Sequence, residues 1–253
     1  MNHWRWRYRA SLVAVALTTP ACLIEPNPKF VETASANGDT GLDGTGSECP
    51  AGTLDCDDQP GCESDSTDPL TCGSCEKRCV VKGEQLTCEA GECSGTLTFT
   101  DLADSYVDHD LPDQVFGGES ELRIDSRRDA YVALPSLLEI PSTATYESIE
   151  LLMSCSQAGG AIEVYRVSSP WQESDLAGSN APSISGEALV SFNPELGENA
   201  IDLFDKVPGW RAGEPKHSLA LLSNSMPGPR QPGVTFASRE SGEGPRLVLT
   251  IRW

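Results

Sequence analysis

The residues with the widest range of chemistry in this chain are its ten cysteines, and their spacing divides them into three groups. Cys22 follows a short apolar stretch near the N-terminus, and Cys155 stands alone in the C-terminal half. The other eight are crowded together, at Cys49, Cys56, Cys62, Cys72, Cys75, Cys79, Cys88 and Cys93. These three settings predict lipid attachment, disulfide formation and a buried apolar thiol, respectively.

The eight clustered cysteines predict a disulfide-rich module at residues 49–95. A polar segment of this size buries too little apolar surface to fold stably by itself, and an even number of cysteines fits four bridges. The pairing stays open, because sequence does not choose among the connectivities of eight cysteines. The spacing Cys72-x₂-Cys75 also suits a zinc ribbon, but an exported chain meets oxidising surroundings, which favour disulfides.

Acidic side chains are interleaved with these cysteines. Four carboxylates, the hard oxygen ligands that Ca²⁺ prefers, lie close in sequence at Asp55, Asp57, Asp58 and Glu63. They predict a loop that could hold structural Ca²⁺, with a solvated acidic turn as the alternative. The surrounding segment DCDDQPGCE, followed by CGSC, resembles a cysteine-rich repeat of surface lipoproteins in gliding, fruiting bacteria. That resemblance implies a location rather than an activity.

The N-terminus predicts export. Residues 1–21 combine three arginines with an apolar segment too short to span a bilayer, which is typical of a signal peptide. Cys22 then resembles the lipidated cysteine of a bacterial lipobox, although Pro20 departs from that pattern. Residues 22–48 are rich in Pro, Gly, Asp and Thr and predict a lipidated N-terminus with a flexible linker. We expect a lipoprotein of the outer membrane or cell surface, or a secreted protein if Cys22 is not lipidated.

Charge and missing motifs limit the possible functions. The chain carries a formal net charge of −20 at pH 7, and such a surface repels nucleic acid and anionic lipid. We therefore expect membrane contact only through the lipid anchor. The sequence has no nucleophile elbow, phosphate-binding loop or HExxH zinc motif. A polar loop around His109 is better explained by solvation than by catalysis. We expect no enzyme and no cofactor apart from structural Ca²⁺.

The elements that must position any site are strands. Beyond Cys93, short segments with alternating apolar residues recur between clusters of Gly, Pro, Asn and Ser, which predicts an all-β antiparallel sandwich or jelly roll at 96–253. The segments are 96–100, 105–108, 121–125, 130–134, 148–155, 161–167, 188–192, 218–223, 234–238 and 246–253. Gly159 and Gly160 predict a hairpin with positive φ. Cys155 falls on the same strand face as Leu151 and Met153, so we expect it to be buried.

An ordered series of short motifs runs through this region. They are ADSYV at 103–107, FG at 116–117, VYRV at 164–167, WQE at 171–173, IDL at 201–203 and FASRE at 236–240. In this order, residues 96–253 resemble the DNRLRE domain, which is related to carbohydrate-binding module family 96. The resemblance implies a β-sandwich that binds polysaccharide without cleaving it.

The resemblance directs attention to side chains that could contact a sugar. Aromatic rings stack on sugar faces, and the candidates are Tyr106, Tyr131, Tyr165, Trp171 and Trp210. Guanidinium groups could hold the carboxylates of an acidic polysaccharide, and the candidates are Arg127, Arg128, Arg166 and Arg239. Core packing is the alternative for the rings, and an internal ion pair is the alternative for Arg239.

We therefore expect a non-catalytic protein whose partner is a polysaccharide or cell-surface glycan. A structural or adhesive protein that binds another protein or a matrix component is the second hypothesis. A polysaccharide-degrading enzyme is the third, because carboxylates are too numerous in this sequence for a catalytic pair to be recognised or excluded.

Overall fold

The computed structural model describes residues 49–56, 62, 64–167, 169–206, 218–224 and 232–253. The predicted signal peptide, Cys22 and the linker to residue 48 lie outside the described residues, as do Asp57, Asp58, Glu63 and Trp210. The described chain consists of strands and turns, with two short 3-10 turns at Gly178–Asn180 and Arg239–Ser241. The predicted all-β class is confirmed. Within the described ranges, no helix has the length and apolarity needed to cross a membrane.

Sixteen strands are described, and those of the N-terminal region are very short. They are β1 (Thr53–Leu54), β2 (Ser64–Asp65), β3 (Val80–Val81), β4 (Glu84–Gln85) and β5 (Thr87–Glu89). The longer ones follow: β6 (Glu92–Phe99), β7 (Asp104–Asp108), β8 (Glu121–Ile124), β9 (Arg128–Ala133), β10 (Thr145–Gln157), β11 (Ile162–Val167), β12 (Ile184–Phe192), β13 (Gly197–Asp202), β14 (Ser218–Ser223), β15 (Val234–Ala237) and β16 (Arg246–Arg252).

The longer strands form two antiparallel sheets. The first has seven strands in the order β5-β6-β16-β10-β15-β8, with β13 on the other edge of β10. The second has five strands in the order β12-β11-β14-β9-β7. β10 organises the first sheet, because one of its edges pairs with both β16 and β15 while the opposite edge pairs with β13.

One apolar core lies between the two sheets. Along β10 every second residue is buried, so Ile149, Leu151, Met153 and Cys155 point inward as predicted. Leu247, Leu249 and Ile251 on β16 extend the same face, and Ile162, Val164, Leu219 and Leu221 meet them from the second sheet. This arrangement is a β-sandwich, whose stability comes mainly from the apolar surface that the two inner faces remove from water.

The connection at 158–161 differs from the predicted hairpin. β10 belongs to the first sheet and β11 to the second, so these residues cross between sheets. Neither Gly159 nor Gly160 has a positive φ. Gly159 is needed for a different reason: a Cβ there would lie 2.3 Å from the carbonyl oxygen of Pro232. Close packing of backbone, rather than a turn, accounts for this glycine.

The predicted four bridges are present. They join Cys49 to Cys62, Cys56 to Cys75, Cys72 to Cys88 and Cys79 to Cys93. The cysteines of the zinc-ribbon alternative are therefore consumed in disulfides. Cys155 is free and 4% exposed. Burial raises the pKa of its thiol, which keeps the group protonated and unreactive.

Strand β6 joins the disulfide-rich module to the sandwich. It pairs with β5 of the module on one edge and with β16 of the sandwich on the other. The N–H groups of Cys93 and Trp253 each donate to the other's carbonyl oxygen, at 2.9 and 3.0 Å. Buried residues of the module, including Val81 and Leu86, belong to the same apolar cluster as the sandwich core. The module thus pairs with residues 92–94 of β6, on an edge of the first sheet that would otherwise be open there.

Candidate functional site

Trp171 lies on the outer face of the second sheet. Ala130 and Val132 of β9 face the main core, so Tyr131 between them points to the other side, where it is covered. Trp171 packs on Tyr131 edge to face, with ring centroids 6.1 Å apart and planes at 67°. Leu176 and Val167 complete this second apolar cluster. The segment that follows β11 therefore holds a half-buried indole on a firm apolar base.

Two clefts open beside the Trp171 side chain. They have volumes of about 340 and about 230 Å³, and both are lined by Pro170, Trp171 and Gln172. Ser174 and Ser218 add hydroxyl groups to the larger one, and Asp175 and Asn180 add polar groups to the smaller. An apolar ring face flanked by amides, hydroxyls and carboxylates is the combination that sugar recognition requires.

The smaller cleft has a rigid wall. The Asn180 side-chain amide donates to the carbonyl oxygen of Asp175 at 2.7 Å and accepts from the N–H of Ala177 at 2.8 Å. These bonds fix the turn that begins after Trp171. The Trp171 Nε1 donor itself is buried and has no partner among the described residues.

A third cleft, of about 520 Å³, lies along β8 and is lined by two arginines. Arg128 donates from Nε to Asp108 Oδ2 at 2.8 Å and from Nη1 to Asp125 Oδ2 at 3.1 Å. Arg123, the other cleft arginine, pairs with Glu121 at 3.1 Å. Both guanidinium groups are thus already engaged by carboxylates of this chain.

The pKa of Asp108 agrees with the pairing of charges around this cleft. Burial acts to raise the pKa of Asp108, but hydrogen bonds from Arg128 and the Asp110 backbone, with the nearby arginine charges, hold that pKa below its usual value. Arg127 contacts Asp110, and His109 Nε2 lies 2.9 Å from Asp129 Oδ2. The polar loop around His109, which we predicted from sequence to be solvated, is held by the arginine–carboxylate pairs and by the contact between His109 and Asp129.

A second group of charges gathers around Arg239, at the other end of β7. The N–H of Arg239 donates to Asp104 Oδ2 at 2.8 Å, and its Nη2 reaches Glu173 Oε2 at 2.6 Å and Glu240 Oε1 at 3.0 Å. Asp101 lies 3.4 Å from Nη1. The ion pair between Arg239 and Glu240 agrees with the alternative given for Arg239 from sequence.

Three carboxylates of this group converge more closely than their sequence positions suggest. One oxygen each from Asp104, Glu173 and Glu240 lies within 4.8 Å of the other two. Asp104 is 1% exposed, and burial raises its pKa to about 7. Burial also raises the pKa of Glu173. Sequence inspection did not bring these residues together, although each stands in one of the quoted motifs, ADSYV, WQE or FASRE.

Two of the candidate rings are core residues. Tyr106 is 3% exposed and stacks on Phe116 with centroids 4.4 Å apart, and Tyr131 is 1% exposed beneath Trp171. Neither offers a face to a ligand, so the hypothesis that they contact one is corrected: the alternative of core packing applies. Tyr165 is half-buried and donates to Glu163 Oε2 at 2.6 Å, and this hydrogen bond raises the pKa of Tyr165.

The arginine candidates do not converge. Arg128 and Arg239 are bound to opposite ends of β7, about 13 Å apart for a strand of this length. Arg166 is half-buried on β11. In the module, Asp55 is exposed, and the other three residues of the predicted calcium loop lie outside the described residues. That loop stays a prediction.

The comparisons with known proteins point to a single family. The model of carbohydrate-binding module family 96 matches residues 95–251, a range that includes the second sheet, most of the first sheet apart from β5, and all three groups of side chains described above. No curated protein matches the chain.

Proposed function

Because the chain belongs to carbohydrate-binding module family 96, we propose that it binds an extracellular or cell-wall polysaccharide at Trp171 and does not itself cleave it. The observation that carries this proposal is the half-buried indole that lines two neighbouring clefts. Among the described candidate rings, Trp171 combines a partly accessible position with hydrogen-bonding neighbours in both clefts. A chain of sugars can lie across the ring while its hydroxyl groups reach the two clefts.

The charges favour an uncharged glycan. Arg123, Arg127, Arg128 and Arg239 are each paired with carboxylates of the chain. Releasing a guanidinium group for a polyanion would leave its present carboxylate partner without compensation. The net charge of −20 would add long-range repulsion.

The non-catalytic part of the proposal is supported by the burial of Asp104, whose raised pKa and acidic neighbours would suit catalysis. Asp104 and Glu173 are near each other, and a carboxyl with a pKa of about 7 would suit a general acid. However, Asp104 is enclosed, so that the oxygen of a glycosidic bond has no path to it. We further propose that the protein is exported and held at the cell surface by a lipid on Cys22, with the linker as a tether.

The test is glycan binding by the protein lacking residues 1–21, with its disulfides intact. A glycan array finds the ligand, and calorimetry then compares the wild type with Trp171→Leu, which keeps apolar contact with Tyr131 but removes the indole face. We expect affinity to fall by about tenfold or more. Tyr165→Leu is the matched control, because it removes a half-buried ring on β11, the strand before Trp171, and it should keep wild-type affinity.

Four results would overturn the proposal. Unchanged affinity in Trp171→Leu would show that the sugar does not bind at Trp171. Loss of binding in Tyr165→Leu alone would place the site elsewhere on the protein. No binding to any glycan, together with capture of a protein or matrix component, would favour the adhesive hypothesis. Release of sugar from a bound polysaccharide would disprove the non-catalytic role.

A further inference from the structure

We propose that Asp104, Glu173 and Glu240 form a calcium site that fixes the segment carrying Trp171. The three residues come from β7, from the segment after β11 and from the 3-10 turn at Arg239–Ser241. This site is separate from the predicted calcium loop of the disulfide-rich module, and it does not depend on the identity of the glycan.

The spacing of the carboxylate oxygens fits a cation of this size. One oxygen of each residue lies within 4.8 Å of the others. Ca²⁺ binds oxygen at about 2.3–2.6 Å, so two ligands on opposite sides of the ion are about 4.6–5.2 Å apart. Three oxygens within this spread can therefore contact one ion, and water can complete its coordination.

Two buried oxygens have no other partner. Asp104 Oδ1 and Glu173 Oε1 are inaccessible to solvent and accept no hydrogen bond among the described residues. The other oxygen of each carboxylate is engaged, Asp104 Oδ2 by the Arg239 N–H and Glu173 Oε2 by Arg239 Nη2. Buried carboxylate oxygens are normally satisfied, so these two indicate a missing ligand.

The charge of the cluster is not balanced by protein groups. Three carboxylates face a single guanidinium, that of Arg239, which leaves two negative charges uncompensated. Asp101 adds a fourth carboxylate at 3.4 Å from Arg239, although it is largely exposed. A divalent cation would cancel the excess.

A shared proton is the competing explanation. Burial, with the charges of Glu240 and Glu173 acting in the same direction, raises the pKa of Asp104 to about 7 against the opposing effect of Arg239. A proton and a cation would compete for the same oxygens. The two explanations therefore differ most at about pH 8, where Asp104 is mostly ionised.

The position of Glu173 explains what the ion would do. Glu173 lies two residues after Trp171 and lines the larger of the two clefts. Gly117 leaves room for it, because a Cβ there would lie 2.5 Å from both Glu173 Cγ and the Glu173 carbonyl oxygen. An ion bound to Glu173 would thus fix the segment on the sandwich and hold the Trp171 ring in place.

The experiment titrates calcium into the disulfide-bonded protein lacking residues 1–21, after treatment with EGTA, at about pH 8. Calorimetry gives the number of sites, and Tm is measured with and without calcium. We expect a Tm rise of about 5 °C at saturation in the wild type. Glu173→Gln should bind one ion fewer and lose the rise. Asp101→Asn, which removes a carboxylate from the same arginine but not from the site, should behave as the wild type.

Asp104→Asn separates calcium binding from a loss of fold, because asparagine keeps the shape of the side chain. It should lack the calcium-dependent rise, while its Tm in EGTA should equal or exceed that of the wild type. The wild-type affinity should increase about tenfold from pH 6 to pH 8, as the competing proton leaves Asp104. The proposal is overturned if the wild type binds no calcium at pH 8. It is equally overturned if Glu173→Gln and Asp104→Asn keep the full number of sites, since the ions would then bind elsewhere.

Discussion

The disulfide-rich module and the sandwich differ in how their strands are held. In the module, the strands before β6 are two or three residues long, whereas β10 of the sandwich runs for 13 residues. The module has four bridges. The described part of the sandwich has a single cysteine, and it is free.

This difference shows two ways of offsetting chain entropy in one molecule. Much of what the module buries is the sulfur of its own cysteines, with Cys72, Cys79 and Cys93 fully enclosed. Cross-links act chiefly by restricting the unfolded chain, while the sandwich relies on apolar contacts in the folded one.

Reduction of all four disulfides should have the largest effect. Each closed loop contributes about 3 kcal/mol, so the module should unfold completely while the sandwich remains folded. Hydrogen exchange in the presence of reductant should show lost protection in β1 to β5 and retained protection in β10 and β16. Simultaneous loss in both regions would show that they unfold as one cooperative unit.

Leu151→Ala should destabilise the sandwich by about 3 kcal/mol. Leu151 is fully buried on β10, and its removal leaves a cavity between the sheets. Urea unfolding measures the change, and Leu138→Ala, at a leucine that is 72% exposed, is the control, expected within about 0.5 kcal/mol of the wild type. Equal effects of the two substitutions would contradict the assignment of stability to the core.

Asp104 of the sandwich and Asp65 of the module should respond to pH in opposite directions. In the sandwich, the folded-state pKa of Asp104 is about 7, above the unfolded value of 3.8, so without calcium its contribution to stability falls as pH rises from about 4 to about 7. In the module, a hydrogen bond from the Thr67 hydroxyl lowers the pKa of Asp65, so its contribution is lost as pH falls through that lowered pKa.

The difference between the wild type and Asp104→Asn isolates the first effect, because Glu173 and Asp129, with raised pKa values, act in the same direction as Asp104. Urea unfolding in EGTA should show the wild type losing about 3 kcal/mol relative to the variant across this window. A constant difference from about pH 4 to pH 7 would contradict the raised pKa.

Gly95→Ala tests the contact between the regions and should cost about 1 kcal/mol. A Cβ at Gly95, on β6, would lie 2.9 Å from Leu86 Cδ2 of the module, so the leucine must shift. In a double-mutant cycle, Leu86→Ala should remove the penalty by making room. Additive effects of the two substitutions on the unfolding free energy would mean that Leu86 does not pack on β6.

The strands of the sandwich were largely predictable, because alternation of buried and exposed residues is a local pattern. The ten predicted segments correspond to β6 to β12 and β14 to β16. β13 was missed because, of its six residues, Ile201 alone is buried, which leaves no alternating pattern to detect. The hairpin at Gly159 was wrong because two glycines signal a tight turn and a close backbone contact equally well.

The site was less predictable, because it depends on contacts between distant segments. Trp171 could be named from sequence, but the burial of Tyr106 and Tyr131 depends on what covers them in the folded state. The pairing of the cysteines and the meeting of Asp104, Glu173 and Glu240 are also long-range features. A sequence motif can contain such a residue, but it does not show which residues of other motifs lie beside it in the folded protein.

The succession of the bridges has a mechanical consequence. The four loops, 49–62, 56–75, 72–88 and 79–93, overlap in turn, and the last ends on strand β6. Tension applied at residue 49 therefore passes from bridge to bridge and cannot pull the module out into an extended chain while the sulfur bonds hold. It reaches the sandwich at Cys93, where the ladder between β6 and β16 must bear the load.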